Sequence, residues 1–144
     1  AEKGYIIVGQ ETDGTATADD VGLGWAVSKV KPDFVGKRSL ARPALSAADR
    51  RQLVGLLTTD AQLVLEEGTQ VMSAPGQRPP ARPIGHVTSS YYSATLQRSI
   101  ALAMVAGGRA RIGQTLHVAA VNGDVPVQVS TPVFYDPEGK RLDG

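Results

Sequence analysis

Hydrophobic and polar positions divide this chain into two unlike parts. Near the start, Tyr5, Ile6, Ile7 and Val8 form a short apolar run closed by Gly9, which predicts a buried strand. Asp13-Gly14 follows as turn chemistry, with the glycine supplying a left-handed position. Thr17 and Asp20 are spaced as a helix cap and its third helical residue, and Gly22 and Gly24 end the element after about one turn. Leu23, Trp25 and Val27 alternate like a half-buried strand, Lys29 to Pro32 is a basic loop, and residues 36–40 predict a short helix that stops before Pro43. Residues 41–49, rich in Ala, Ser and Pro, have little periodicity and predict a linker, with a domain boundary near residue 46.

Beyond that boundary the pattern is one of strands: residues 52–58, 69–72, 84–90, 98–105, 115–121, 125–129 and a last short run at 133–135. Asn122-Gly123 marks a hairpin. Residues 73–83, with four prolines and two arginines, form an exposed loop. Gly and Pro turns with almost no long helix predict a mainly β chain, a small antiparallel barrel or sandwich preceded by an α+β remnant.

Composition narrows the classes. The 144 residues are 42% hydrophobic and 20% charged, globular values, with net charge +1. No basic stripe argues for nucleic acid as a partner, and no apolar run reaches the ~20 residues of a membrane span. The absence of cysteine suits a reducing compartment, and the cytoplasm is the expected location. His86 and His117 lack the acid or cysteine spacing of a zinc set. Gly22-x-Gly24 lacks the third glycine and the βαβ setting of a dinucleotide site. Residues 85–90 carry a histidine, a threonine and two serines without a nucleophile elbow, and alternation sends His86 and Thr88 to one face, so a strand leading into a polar turn is the reading.

Two blocks carry more specific information. The first is Glu2-Lys3-Gly4-Tyr5-Ile6-Ile7-Val8-Gly9-Gln10, continuing through Asp20-Val21-Gly22-Leu23-Gly24-Trp25 to Lys31-Pro32-Asp33-Phe34-Val35-Gly36-Lys37. The second is Gly85-His86-Val87-Thr88-Ser89-Ser90 with Thr95-Leu96 and Ser99-Ile100-Ala101-Leu102. Together they resemble the C-terminal part of the folate-binding aminomethyltransferase family, whose type member is the glycine-cleavage T-protein. The wording of the first block, with the closing Pro132-Val133-Phe134-Tyr135-Asp136-Pro137-Glu138-Gly139, resembles the α subunits of heterotetrameric sarcosine oxidases.

The resemblance implies residues 1–45 as the end of a folate-binding domain and 46–144 as a C-terminal barrel. It also implies that the chain is an excised C-terminal piece, catalytically incomplete because the family's catalytic aspartate lies further N-terminal. The whole enzyme is expected to demethylate sarcosine oxidatively and pass the one-carbon unit to tetrahydrofolate, with FAD, FMN and NAD held elsewhere. Its partners are the other subunits and the N-terminal part of its own. Glu2, by its place in the Glu-x-Gly motif, is the implied pterin ligand, because two carboxylate oxygens can accept from adjacent ring N–H donors; without the family it reads as a solvated glutamate. Trp25 is either core packing beside Tyr5 and Phe34 or a wall of the folate cavity. Lys29, Lys31, Lys37, Arg38 and Arg42 form a solvated face or receive the glutamate tail of folate, with Lys31 the chosen candidate. An aminomethyltransferase, a dimethylglycine-oxidising relative and a non-enzymatic interaction module are the alternatives; in the last, Glu2 and Trp25 need not face a common cavity.

Overall fold

The computed structural model describes residues 1–78 and 80–142. Pro79, within the predicted 73–83 loop, lies outside the described residues.

Six antiparallel strands close into a barrel: β1 (Arg51–Thr58), β2 (Gln70–Met72), β3 (Gly85–Ser93), β4 (Arg98–Ala106), β5 (Thr115–Ala120) and β6 (Gly123–Ser130), in spatial order β1-β4-β3-β2-β5-β6. Period-two alternation sorts their apolar residues into two sets. Val54, Leu56, Val71, Val87, Ala101, Ala103, Val105, Leu116, Val118, Val127 and Val129 belong to the main core. Leu53, Leu102 and Met104 belong to a second cluster with Val21, against which Ile6 and Phe134 pack. That second cluster explains why β1 and β4 read as nearly continuous apolar runs: both of their faces are covered. Leu53 pairs with Met104, and Gly55 with Leu102. A Cβ on Gly55 would stand 2.7 Å from the Phe134 ring, so the glycine makes room for the C-terminal segment.

Residues 1–46 lie against this outer face with little regular structure. Gly24–Ala26 forms one 3-10 turn, and two single-turn helices follow, α1 (Lys37–Leu40) and α2 (Pro43–Ser46). α1 is where its pattern predicts it. α2 falls inside the predicted linker, started by Pro43 in the first helical turn.

Four local expectations are corrected. Residues 5–8 form no strand: a strand needs a neighbour, and they pair only through one bridge, Val8 with Thr12. Tyr5 is 69% and Val8 86% exposed, while Ile6 alone packs inward. Leu23, Trp25 and Val27 likewise make no strand, because the chain winds into the 3-10 turn between them. Residues 133–135 are no strand either, since Phe134 leaves the sheet plane to pack on the outer face. The Asp13-Gly14 turn exists, but Gly14 is not among the positive-φ residues. Asp13 builds it instead, its Oδ1 accepting from Thr15 N at 2.8 Å and Ala16 N at 3.1 Å.

Candidate functional site

The seam between the N-terminal segment and the barrel is held by side chains whose spacing is local on one side and remote on the other. Thr17 and Asp20 make the reciprocal contacts of a capping box: Asp20 N donates to Thr17 Oγ1 at 3.3 Å and Thr17 N to Asp20 Oδ2 at 2.7 Å. Gly22 then turns left-handed at φ 78°, and Leu23 N donates back to Ala18 O at 2.7 Å. The expected short helix is thereby corrected to a hydrogen-bonded turn, because the chain reverses before a second helical bond can form.

Asp20, 3% exposed, also meets Arg50, whose Nε donates to its two oxygens at 2.9 and 3.1 Å. Burial alone would raise the Asp20 carboxyl, but the Arg50 and Thr17 hydrogen bonds outweigh it and hold the group below the usual carboxylate range. The Asp20 carbonyl accepts from Leu53 N at 2.8 Å, which docks the turn on β1. Asp19 pairs with Arg109 at 2.5 Å.

At the other end the C-terminal segment clasps the N-terminal block. Lys3 Nζ donates to the carboxylate and to the carbonyl of Asp136, both at 2.6 Å. The Lys3 hydrogen bond, ahead of the opposing effect of burial, keeps the Asp136 carboxyl below its ordinary range. The Glu2 carbonyl accepts from Phe134 N at 2.9 Å and Tyr135 N at 3.1 Å.

Glu2 sits in this clasp, half-buried. Its Oε1 accepts from Ser93 Oγ, at the end of β3 and 91 residues away, and Ser93 Oγ accepts from Leu96 N at 3.0 Å. Beside it a cleft of about 220 Å³ is lined by Ala1, Tyr5, Ile7, Ser89 and Tyr91. The two blocks singled out in the sequence therefore meet in space.

The other two candidates stand apart from the Glu2–Ser93 contact. Trp25 is 80% exposed, so the expected core packing beside Tyr5 and Phe34 is corrected: the 3-10 turn presents the indole outward. Lys31 is exposed and its carbonyl accepts from Lys37 Nζ, which also donates to Pro32 O at 3.2 Å. Lys37 is thus used within its own loop. None of the three candidates, Glu2 included, lines the cleft of Tyr5 and Tyr91; Glu2 is next to it in sequence through Ala1.

The expectation that His86 and Thr88 share a face also changes. The β3–β4 register shifts between Val87 and Ser89, and this bulge interrupts the simple alternation. Thr88 is buried, whereas His86 stays partly exposed and faces the N-terminal turn. Ser93, Asp136 and the Asp20–Arg50 pair were not foreseen as site-forming residues, since each finds its partner through tertiary register.

A family model for the glycine cleavage T-protein C-terminal barrel domain matches residues 51–136. Over 149 aligned residues the whole chain is 47% identical to the sarcosine oxidase subunit alpha of Corynebacterium sp. (strain U-96), covering 15% of that protein. The corresponding subunit of Rhizobium meliloti (strain 1021) is 40% identical over 98% of the chain and 14% of its own length. An aminomethyltransferase of Nostoc sp. is 33% identical over 96% of the chain and 35% of its own. The crystal structure of the glycine cleavage system aminomethyltransferase T from Bartonella henselae shares the fold, with a TM-score of 0.74 over 92% of the chain and 36% of that protein at 22% identity. The chain thus spans about 15% of the length of the Corynebacterium relative. Among the described residues no helix is long and apolar enough to cross a membrane. With more than half its length matched by the family model, and a closed six-stranded barrel to go with it, the chain belongs to the glycine cleavage T-protein C-terminal barrel family.

Proposed function

We propose that the chain is the C-terminal part of the folate site in a sarcosine oxidase α subunit. Residues 1–45 close the folate-binding domain and residues 46–144 form the barrel behind it. The parent enzyme, cytoplasmic and assembled with its other subunits, demethylates sarcosine to glycine and gives 5,10-methylenetetrahydrofolate and hydrogen peroxide. FAD, FMN and NAD belong to other parts of that assembly. The N-terminal segment leaves Tyr5, Val8, Trp25 and Val30 largely exposed, which supports its belonging to a larger folded unit.

The observation that carries the reading is the contact of Glu2 with Ser93, together with a nearby cleft in which Tyr5 and Ile7 of the first block face Ser89 of the second. The residues fit a pterin. One Glu2 oxygen is fixed by Ser93, the other is bonded to no described residue, and two tyrosines flank the neighbouring space. A held carboxylate, with a cleft walled by aromatic residues nearby, suits a flat ring with adjacent N–H donors. Trp25 is assigned to an outer wall and Lys31 to the side that receives the glutamate tail. Bound tetrahydrofolate would supply the nitrogen nucleophile for the one-carbon unit. The chain's own residues bind, orient and keep water away.

The test is Glu2→Gln in the full-length protein. Folate affinity should fall about tenfold or more, the effect of losing one charge-assisted contact, while sarcosine-dependent oxygen uptake changes little. An unchanged folate affinity removes Glu2 from the site. The 33% identity to an aminomethyltransferase favours a second reading, a T-protein-type enzyme. Oxygen uptake with sarcosine separates the two.

A further inference from the structure

A second cleft, polar and about 310 Å³ in volume, opens on the seam away from Glu2. Glu11 and Asp13 line it from the N-terminal turn, Arg50 and Arg51 from the start of β1, His86 from β3, and Met104 from β4. Its volume is several times the ~30 Å³ share of one liquid water, enough for a molecule of several heavy atoms.

The buried carboxylate of Glu11 sets its chemistry. Glu11 is 2% exposed. Its Oε2 accepts from Ile7 N at 2.6 Å, whereas its buried Oε1 has no hydrogen-bond partner. Buried carboxylates are normally paired, so this oxygen calls for a cationic donor.

The neighbouring charges decide what the rest of that donor carries. Asp13 Oδ1 already accepts from Thr15 N, Thr15 Oγ1 and Ala16 N. Arg50 is committed to Asp20. Arg51 is exposed at the cleft and enters none of the ion pairs among the described residues. His86 lies within the influence of both signs: burial and then Arg51 lower its pKa, while Asp13 and Glu11 oppose them. Glu11, with one unsatisfied carboxylate oxygen, and Arg51, with a guanidinium in no ion pair among the described residues, therefore line one small space.

We propose that this cleft binds a short amino acid, with its ammonium group donating to Glu11 and its carboxylate meeting Arg51. The proposal is independent of the folate reading, since none of the cleft residues named here lines the cleft of Tyr5 and Tyr91 or bonds to Glu2.

The test is equilibrium dialysis of labelled β-alanine against the full-length protein, with propylamine and propionate as competitors. These carry one charged end each on the same three-carbon skeleton. One β-alanine site per chain is expected, with propylamine at least about tenfold weaker and propionate ineffective. Glu11→Gln, which retains an oxygen for Ile7 N, and Arg51→Ala, at an exposed position, should each weaken that site at least about tenfold. Absence of saturable binding overturns the proposal. So does binding that either variant leaves unchanged, or propylamine competing as well as β-alanine.

Discussion

Replacing Asp20 by Ala removes the hub that docks residues 1–46 on the barrel. The carboxylate accepts from Arg50 and from Thr17, and it is nearly inaccessible to water. Removing one partner of a buried pair costs about 3–5 kcal/mol. Here Arg50 keeps the carbonyls of Thr15 at 2.7 Å and Ala44 at 3.0 Å, and its side chain is 19% exposed. The lower end, about 3 kcal/mol, is therefore expected. That loss should fall on docking rather than on the barrel, whose main core contains none of these groups. Leu53 N is the reporter, because its hydrogen bond goes to Asp20 O. In native-state hydrogen exchange its opening constant should rise on the order of 100-fold, the equivalent of about 3 kcal/mol. Unchanged Leu53 exchange, or equal acceleration of all barrel amides, would refute this. The pH dependence has a definite sign. Because folding lowers the Asp20 pKa, its contribution is complete above the ordinary carboxylate value of 3.8 and is lost as pH falls through the still lower folded value.

Three further outcomes are expected. Gly55→Ala places a methyl group against Phe134 and should destabilise by about 1–3 kcal/mol, read by denaturant unfolding; an unchanged midpoint means that the 131–135 segment does not pack there. His86 should titrate below 6.5 by NMR, chiefly through burial and then Arg51, so Arg51→Ala should raise its midpoint. With the folded pKa depressed, the His86 contribution is present above 6.5 and is lost as pH falls through the folded value; a midpoint at or above 6.5 contradicts this. Trp25, the single tryptophan, should emit as a water-exposed indole in the isolated chain, and Trp25→Ala should change stability by less than about 0.5 kcal/mol; blue-shifted emission or a larger loss would contradict its placement.

The barrel was legible because its strands carry their own signals. Predicted residues 52–58 and 98–105 lie within one residue of β1 and β4 at each end, and Asn122-Gly123 stands at the β5–β6 turn. β3 runs three residues past its predicted end, through Tyr91, Tyr92 and Ser93, since polar edge residues can continue a ladder that apolar patterning does not mark. The N-terminal segment was less legible for a physical reason. Alternation says that an apolar side chain favours burial, but not which surface covers it. Tyr5, Val8 and Trp25 share the composition of strand and core residues and are exposed all the same. The α2 start was signalled by Pro43, yet the surrounding Ala and Ser gave it no periodicity.

The site was legible as wording and not as geometry. Glu2 could be singled out by its motif, but Ser93 could not, because their contact depends on how far β3 extends before its hairpin turns. The same holds for Lys3 with Asp136 and for Asp20 with Arg50, each pair joining segments far apart in sequence. These ties lie outside both apolar clusters: none of their residues belongs to the small outer cluster of Val21, Leu53, Leu102 and Met104 or to the large barrel core. A seam with a small apolar centre and many directional polar contacts fixes orientation more than it adds stability. The barrel therefore serves as a base, and the polar pairs set where Glu2 stands relative to Ser93 at the end of β3. Loosening one pair should displace that carboxylate without melting the strands behind it, which is why docking and folding must be measured separately.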